Sequence, residues 1–258
     1  MKDIKLSVVL AVFNEEKNLA RCLESVKSLA DEIVIVDGQS TDQTPAIAGK
    51  FKARVISTPN LPNFHVMKNM AIDAAKGDWI LQLDADEPVT PELATEIQKV
   101  ISSPDALDGY WVPRKNYFLG RFLTKGGQYP DHTLRLYRRG KGRLPAQSVH
   151  EQATVDGQVG FLTHDLLHYG TPDFENYLLR FNRYTSLTAT QMAADSVPLN
   201  TFSFLKYLLV KPISIFFSIY FRHLGLVDGF PGFVFALYSG LHYPVAYIKH
   251  WQKTKHPA

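Results

Sequence analysis

The chain has 258 residues, of which 45% are hydrophobic, and its formal net charge is +3. This composition supplies enough apolar side chains for a large core and excludes a globally disordered protein. The length suits one large domain, or one domain with an appendage. The single cysteine, Cys22, excludes an intramolecular disulfide framework and fits a reducing compartment.

The first half of the sequence alternates predicted strands and helices. Residues 6–13 form an apolar run rich in β-branched residues, which is typical of a strand buried on both faces, and residues 32–37 form a second predicted buried strand. Residues 54–57 and 78–83 are predicted as a short third strand and a fourth strand. The i, i+3, i+4, i+7 spacing of an amphipathic helix is formed by Leu19, Cys22, Leu23 and Val26. This order predicts an α/β fold with a doubly wound, mainly parallel sheet and helices on both of its faces.

Local signals predict the ends of the other helices. Residues 38–42 form a predicted turn that contains the N-cap of the second helix. The third helix carries a stripe formed by Met67, Met70, Ala71 and Ala74. Gly77 is expected at the C′ position of that helix. Thr90 is expected to cap the helix after the fourth strand, with Pro91 at its first position.

Polar side chains follow three of the predicted strands. Asn14, Asp37 and the pair Asp84 and Asp86 all lie at predicted carboxyl ends, where sheets of this kind bind ligands. An Asp-x-Asp pair offers hard oxygen ligands to a divalent cation, which can then hold a diphosphate. The alternative is a strand that runs into an acidic, proline-containing surface turn with Glu87.

Two common nucleotide-binding motifs are missing from the sequence. The turn after the first strand, residues 13–16, reads Phe-Asn-Glu-Glu and contains no glycine. It therefore lacks the Gly-x-Gly-x-x-Gly pattern of a dinucleotide-binding unit, and no P-loop pattern is present either. A different mode of nucleotide binding is needed if the acidic pair holds a diphosphate.

Three segments carry a resemblance to a known family. Residues 8–15 (VVLAVFNE), 36–42 (VDGQSTD) and 83–87 (LDADE) resemble, in order and spacing, the signature segments of the family 2 glycosyltransferases, which have the GT-A fold. The match covers residues 1–120. Residues 149–151 (VHE) and the aromatic C-terminal segment are similar to bacterial members that build lipopolysaccharide core or other lipid-linked glycans.

The resemblance implies an inverting glycosyltransferase that uses a nucleotide-diphosphate sugar, with a UDP-sugar as the expected donor. It implies Mg²⁺ or Mn²⁺ as cofactor, because the metal neutralises charge on the leaving diphosphate. A carboxylate is expected to take the proton of the acceptor hydroxyl. The chain has Gly38 where many members have a second Asp that reads the base, so this motif does not distinguish uracil from guanine.

The resemblance also implies roles for single residues. Glu151 is the expected catalytic base, and Asp86 and His150 are the expected metal ligands. The implied donor-binding residues are Ala11, Phe13, Asn14, Asp37, Lys68 and Asp84. For His150 a purely structural role is the alternative, as for many histidines beside an acid.

Other residues offer competing assignments. Three of the implied donor-binding residues also have a purely structural alternative. Phe13 fits the role of a core aromatic residue, Asp37 could cap a turn, and Lys68 could be a solvated lysine on a helix. His168 is a competing candidate for the metal ligand. Asp131 is an alternative candidate for the base, unless it is only a turn residue.

Five cations lie within nine residues, at Arg135, Arg138, Arg139, Lys141 and Arg143. Such a run is typical of a solvated hairpin. The functional alternative is a grip on a phosphate of the donor or of a phosphorylated acceptor. Nucleic acid is not an expected partner, because the acidic residues at the strand ends would repel its backbone.

The C-terminal segment differs from the rest in charge. Residues 202–258 contain six Lys or Arg and one acid, Asp228, which gives +5, and they hold 14 of the 31 aromatic residues. Two apolar aromatic stretches, 202–221 and 230–251, are interrupted by polar residues and proline. This pattern favours helices that lie in a membrane surface over spanning helices, with core packing or a dimer interface as the alternative.

These observations predict a catalytic domain, 1–201, with a nucleotide-sugar-binding half (1–120) and an acceptor half (121–201) that ends in a long helix over 174–194. A membrane-associating tail, 202–258, follows. The expected location is the cytoplasm, peripheral on the inner face of the cytoplasmic membrane. Nothing in the sequence indicates an oligomeric state.

The predicted activity is transfer of a sugar to a hydroxyl of a lipid-linked glycan acceptor, such as lipopolysaccharide core. One alternative is a polyprenyl-phosphate glycosyl synthase, which would need no strong base. An alternative of another class is a non-catalytic, sugar-nucleotide-binding membrane adaptor.

Overall fold

The computed structural model describes residues 5–145, 152–171 and 173–256. These residues form two compact units. Within the described ranges, the sheet unit comprises residues 5–114 and 131–168, and the tail unit comprises residues 115–130 and 169–256. The predicted division at residues 201/202 lies inside the tail unit, because the long helix and the loop after it belong there. The functional meaning of that division stays a prediction.

Most of the eleven described strands join one large sheet. In chain order the strands are β1 (Leu6–Val12), β2 (Glu32–Asp37), β3 (Arg54–Ser57), β4 (Trp79–Gln82), β5 (Gly109–Phe118), β6 (Arg121–Phe122), β7 (Asp131–Arg138), β8 (Gly142–Arg143), β9 (Thr154–Val155), β10 (Val159–Phe161) and β11 (Leu166–His168). The path across the sheet is β10-β5-β7-β4-β1-β2-β3, while β8 and β9 form a separate pair.

Strand direction decides where the loops meet. The pairs β1–β2, β2–β3, β1–β4 and β5–β10 are parallel, whereas β7 runs antiparallel to both of its neighbours, β4 and β5. The predicted mainly parallel sheet is therefore confirmed. Because β4 and β5 both oppose β7, strands β1 to β5 all end at the same edge.

The central strands of the sheet, such as β1 and β4, are buried on both faces. All seven residues of β1 are buried. Leu6, Val8 and Leu10 of this strand lie on one face, and Val9 and Ala11 lie on the other. The first set packs in a core cluster with helix residues 19–26 and 93–97, and the second packs with residues 67–75. Side chains of a strand point alternately to its two sides, so one strand supplies both cores.

The helices of the sheet unit are α1 (Leu19–Val26), α2 (Thr44–Lys50), α3 (Phe64–Ala74) and α4 (Pro91–Ile101). The four residues of the predicted α1 stripe are all buried. The predicted cap of α4 is also confirmed, because the hydroxyl of Thr90 accepts a hydrogen bond from the Leu93 N–H at 3.2 Å. Helices cover both faces of the sheet, as predicted.

The predicted role of Gly77 is wrong. Helix α3 ends at Ala74, and its C-cap, Ala75, is extended, so Gly77 does not occupy the C′ position. The Gly77 N–H donates to the Ser7 hydroxyl at 2.9 Å, and a Cβ at Gly77 would lie 2.7 Å from the Ser7 nitrogen. Glycine is required here because the chain passes too close to β1 for any side chain.

The predicted N-cap of α2 is also wrong. The N-cap residue is Gln43, outside the turn 38–42, and its side chain makes no capping hydrogen bond. Instead, the Asp42 carboxylate accepts from the Thr44 N–H at 2.9 Å. An aspartate two residues before the amide therefore supplies the acceptor.

The tail unit is built from three long helical segments. These are α5 (Phe174–Ala194), the first tail helix (Thr201–Arg222) and the second tail helix (Gly229–Lys255). The predicted helix over 174–194 is confirmed at both ends. The first tail helix contains two π-helical segments, Lys206–Val210 and Ser218–Arg222, and a short 3₁₀ turn, Gly225–Asp228, precedes the second.

Polar contacts fix α5 to the second tail helix. The Lys249 ammonium lies 2.7 Å from both the carbonyl and the side-chain oxygen of Asn182 and from the Thr185 hydroxyl. The Thr188 hydroxyl and the His242 ring are 2.9 Å apart. Helix α5 therefore covers one side of the second tail helix, and polar contacts contribute to the packing between them.

Asp228, the single acid of residues 202–258, is buried in the tail unit with 1% of its surface exposed. Its carboxylate accepts hydrogen bonds from the backbone N–H groups of Thr124 and Lys125 and from the Thr124 hydroxyl. The Arg121 guanidinium lies 3.4 Å away. These bonds tie the loop after β6 to the turn between the tail helices.

Candidate active site

The loops after β1 and β2 interlock at the carboxyl edge of the sheet. The Asn14 side-chain oxygen accepts from the Thr41 N–H at 2.8 Å, and the Asn14 N–H donates to the Ser40 hydroxyl at 2.9 Å. Asn14 has a positive φ of 54°, which asparagine tolerates better than most residues. This exposed residue therefore holds the edge of the loops in place.

The Asp37 carboxylate accepts hydrogen bonds within its own turn. Its two carboxylate oxygens accept from the Ser40 hydroxyl at 2.5 Å and from the Ser40 N–H at 3.1 Å, and only 4% of its surface is exposed. The turn-capping alternative therefore describes Asp37 in this structure. Ala11 is buried in the sheet core, and Phe13 is half-buried just beyond the end of β1.

Asp84, close after β4, lies between two cations. Its Oδ1 is 2.5 Å from the Lys68 ammonium, and its Oδ2 is 2.7 Å from Nη2 of Arg135. Lys68 is buried on α3, with 9% of its surface exposed, so the alternative of a solvated lysine is wrong. A buried ammonium needs a nearby carboxylate, and Asp84 supplies it.

Glu87 is fully buried at the end of the same turn. Its Oε1 accepts from Nη2 of Arg135 at 2.7 Å and from Nη1 of Arg114 at 2.9 Å, and its Oε2 accepts from the Asp84 N–H at 3.1 Å. Arg114 also binds Asp131, its cross-strand neighbour, through Nε and Nη2 at 3.1 and 2.7 Å. Cations thus neutralise Asp84, Glu87 and Asp131.

Asp86 has different surroundings. Its Oδ2 lies 3.6 Å from Nε2 of His168, and no Lys or Arg pairs with it within the described ranges. About a fifth of each of these two side chains is exposed, 21% for Asp86 and 23% for His168. His168, the competing candidate ligand, therefore lies beside the acidic pair, and its role as a ligand stays a prediction. His150 lies outside the described residues.

The two acids of the pair differ in electrostatics. Burial by itself would raise the pKa of Asp84, but Lys68 and Arg135 outweigh it and hold this pKa well below its ordinary value. For Asp86, burial raises the pKa, and the carboxylates of Asp84 and Glu87 raise it further against the opposing effect of His168. Ionised Asp86 is therefore the acid of the pair that gains most from an additional cation.

The donor atoms fit a divalent cation. Carboxylate oxygen suits Mg²⁺ and Mn²⁺, and Mn²⁺ also accepts imidazole nitrogen. Asp86 and His168 supply one group of each kind. The described part of the chain contains no cluster of three or more His, Cys, Asp or Glu side chains with metal-binding geometry, so further ligands must come from the substrate, from water or from elsewhere in the chain.

The basic run after residue 134 is solvated only in part, because Arg139, Lys141 and Arg143 are exposed whereas Arg135 and Arg138 are not. Arg135 is 6% exposed and belongs to the acidic cluster. The other four cations also have protein partners: the Trp79 ring and the Ala106 carbonyl for Arg138, the Gly77 carbonyl for Arg139, Asp156 for Lys141 and Asp73 for Arg143. These contacts do not support the alternative of a shared grip on phosphate.

The prediction missed Arg114 and Arg135 as site residues and did not assign Glu87 a role. A signal was present for Arg135, since it lies between Leu134 and Leu136 in an apolar strand, where an isolated cation needs a buried acid. Glu151, the predicted base, lies outside the described residues. Asp131, the alternative base, is bound by Arg114.

The unequal partners of the acidic pair predict unequal effects on stability. Asp84→Asn leaves Lys68 and Arg135 without their shared carboxylate, so the free energy of unfolding should fall by about 2–3 kcal/mol, less than for a fully buried pair. Asp86→Asn removes a carboxylate whose pKa is raised in the folded state, so it should be neutral or stabilise by up to about 1 kcal/mol at pH 7.

Urea denaturation in EDTA measures both changes without bound metal. Asp156→Asn, at a side chain that is 91% exposed, is the control for loss of an acid. Equal destabilisation by Asp84→Asn and Asp86→Asn would contradict the different environments described above.

Comparison with known proteins gives relatives along the whole chain. The "Lipopolysaccharide core biosynthesis glycosyltransferase LpsC" of Rhizobium meliloti (strain 1021) is 30% identical over 257 residues, which cover 97% of this chain and 93% of the relative. A glycosyltransferase of Rickettsia felis is 29% identical over 89% of this chain and 83% of its own length.

Among solved structures, S. aureus TarS aligns with 98% of this chain and 53% of its own, at a TM-score of 0.51 and 18% identity. This likeness concerns the fold. The model of the family described as Glycosyl transferase family 2 matches residues 7–169, more than half of the chain. The chain therefore belongs to the family 2 glycosyltransferases and has their GT-A fold.

Proposed function

We propose that this enzyme transfers a sugar from a nucleotide-diphosphate sugar, with a UDP-sugar as the expected donor, to a hydroxyl of a lipid-linked glycan acceptor, with inversion at the anomeric carbon. The observation that carries the proposal is Asp86. It lies at the carboxyl edge of the sheet without a Lys or Arg partner in the described chain, while the adjacent acids are neutralised.

The proposed donor site lies along this edge. Phe13 and Asn14 belong to the loop that interlocks with the turn after Asp37, and we assign this region, with Ala11, to the nucleoside. Lys68 holds Asp84 in place, and we assign Asp84 to the ribose side of the donor. A rigid set of loops positions the donor for reaction at low entropic cost.

Asp86 and His168 would hold Mg²⁺ or Mn²⁺, and His150 remains a proposed further ligand. The metal, when bound, neutralises charge on the leaving diphosphate. Arg114 and Arg135 lie too deep in the acidic cluster to replace it, since their guanidinium groups bind Glu87, Asp84 and Asp131.

Glu151 is the proposed base that takes the proton of the acceptor hydroxyl. Its competitor Asp131 accepts two hydrogen bonds from Arg114. A carboxylate held by a guanidinium is a weaker base, because the cation stabilises its ionised form. This contrast favours Glu151.

A lipid-linked acceptor is supported by the relative whose name places it in lipopolysaccharide core biosynthesis and by the tail. The first tail helix has 22 residues, and its most apolar 18-residue window has a mean hydropathy of 1.5 and is only 6% buried. Its exposed apolar side chains include Val210, Ile213 and Phe217. Apolar surface of this extent, flanked by cations, fits the interfacial region of an anionic membrane.

We further propose that the tail lies on the inner face of the cytoplasmic membrane and does not span it. Lys206 and Lys211 lie within the first tail helix, and a lysine deep in the bilayer costs about 2.5–3.5 kcal/mol. Polar contacts from α5 cover the second tail helix. A homodimer through the same surface is less favourable, because each tail carries +5.

Donor binding tests the proposal directly. In calorimetry with Mn²⁺ and a panel of UDP-, GDP-, dTDP- and CMP-sugars, one nucleotide class should bind tightly, and EDTA should abolish binding. Asp86→Asn should weaken binding at least about tenfold, as loss of a metal ligand does, whereas the exposed Asp156→Asn should not. Absence of binding by every donor would refute the transferase assignment of this site.

Turnover tests the proposed base. Glu151→Gln should lower kcat by about 10²–10⁴-fold, because a general base contributes this much, and should leave donor affinity unchanged. Glu92→Gln, an exposed acid on α4, is the matched control. Full activity of Glu151→Gln would exclude this residue as the base; an equal loss of donor binding would instead assign it to the donor site.

Vesicle sedimentation tests the membrane surface. Replacing Val210 and Ile213, which are 62% and 56% exposed, with Ser should weaken binding to anionic phospholipid vesicles by about 30-fold, from about 1 kcal/mol of lost burial per side chain. The control replaces Leu179 and Leu187 of α5, which are 64% and 51% exposed. Unchanged vesicle binding together with a loss of self-association in ultracentrifugation would indicate a dimer surface.

A further inference from the structure

Arg135 is the residue at which the strands and the acidic turn meet. The antiparallel register pairs Leu81 of β4 with Leu136 of β7, so Gln82 and Arg135 are the next residues along. The Arg135 side chain is 7% exposed, and its Nη1 donates to the Gln82 side-chain oxygen at 2.7 Å. The backbone thus fixes the guanidinium at the end of β4, where the acidic turn begins.

One nitrogen of Arg135 joins two acids. Its Nη2 lies 2.7 Å from Oδ2 of Asp84 and 2.7 Å from Oε1 of Glu87. Lys68 covers the other oxygen of Asp84. Both oxygens of Asp84 therefore face cations, and the buried Glu87 is closed off from solvent.

Asp86 is left as the acid of this turn that faces no Lys or Arg in the described chain. Lys68, Arg114 and Arg135 supply three positive charges, and the acids of the turn together with Asp131 supply four negative ones. With His168 neutral, the cluster carries one negative charge in excess, and it resides on Asp86. A bound cation interacts most strongly where negative charge is least compensated.

We propose that Arg135 is a positioning residue that selects the metal ligand of the acidic pair. By binding Asp84 and Glu87 together, it prevents both from ligating the metal and leaves Asp86 for that role. This inference rests on the proposed function, because it assumes that the metal binds at this pair. Arginine suits the task better than lysine, since its planar fork reaches Gln82, Asp84 and Glu87 at once.

The test compares metal ligation in two backgrounds. Arg135→Met combined with Glu87→Gln removes one cation and one acid, so the net charge of the cluster is unchanged and Glu87 is not left as a buried, undercompensated charge. Mn²⁺ alone is the probe, and the free ion is quantified by electron paramagnetic resonance. Asp84→Asn and Asp86→Asn are then introduced separately into the wild-type chain and into this background.

In the wild-type chain, Asp86→Asn should weaken Mn²⁺ binding by about 10–100-fold, and Asp84→Asn should weaken it less. In the Arg135→Met/Glu87→Gln background, Oδ2 of Asp84 is free to ligate while Lys68 still binds Oδ1. The loss caused by Asp86→Asn should therefore shrink, and the loss caused by Asp84→Asn should grow. If Arg135 had only a structural role, the losses of Mn²⁺ affinity caused by Asp84→Asn and Asp86→Asn would change by the same factor. Their ratio would then be the same in both backgrounds.

Arg138→Met is the matched control, because Arg138 lies on the same strand and contacts the Trp79 ring and the Ala106 carbonyl instead of the acids. If the Arg135→Met/Glu87→Gln variant fails to fold, Arg135→Lys is used instead, because it keeps the positive charge but loses the planar guanidinium. The dependence of Mn²⁺ binding on Asp84 and Asp86 should then shift in the same direction by a smaller amount. An unchanged dependence on Asp86 in a folded background overturns the role of Arg135 alone. Absence of any Mn²⁺ site in the wild-type chain overturns this inference together with the metal dependence of the proposed function.

Discussion

Burial of the Glu87 carboxylate is the constraint on which the rest of the site depends. A carboxylate without solvent contact must be compensated by charge and hydrogen bonds, and Arg135 and Arg114 supply both. Because Arg135 also binds Asp84, the same contact fixes the start of the turn. The uncompensated charge is then confined to Asp86. The chemistry proposed for this edge therefore depends on the cations that neutralise Glu87 and Asp84 as much as on the acidic pair itself.

The sequence predicted the sheet unit well where the signal was local. Strand β2 has the predicted bounds, and so does helix α5 of the tail unit, since apolar runs and periodic stripes report directly on burial. The prediction for Gly77 failed because a glycine after a helix can also mark a close approach to another strand. Ser7, the residue that Gly77 approaches, lies 70 residues away in the sequence. A local window does not contain such a partner.

Arg135 shows the same limit in the site. Four cations follow it within eight residues, which suggested a solvated hairpin. Its acidic partners instead come from a turn about 50 residues earlier and reach it only through the register of β4 and β7. The metal role of Asp86 stays a prediction, which rests on residue type and position at a strand end. The contact between Asp84 and Arg135 could not be predicted, because it depends on the register of two strands far apart in the sequence.

The buried Asp228 has a consequence for how the tail meets other molecules. This acid lies inside the tail unit on backbone amides, so the side chains that residues 202–256 present to solvent include cations such as Lys206 and Lys253 but no carboxylate. The buried position of Asp228 therefore leaves residues 202–256 with only positive charges among their exposed side chains. An anionic surface attracts this segment, and the rate of approach should fall as the ionic strength rises.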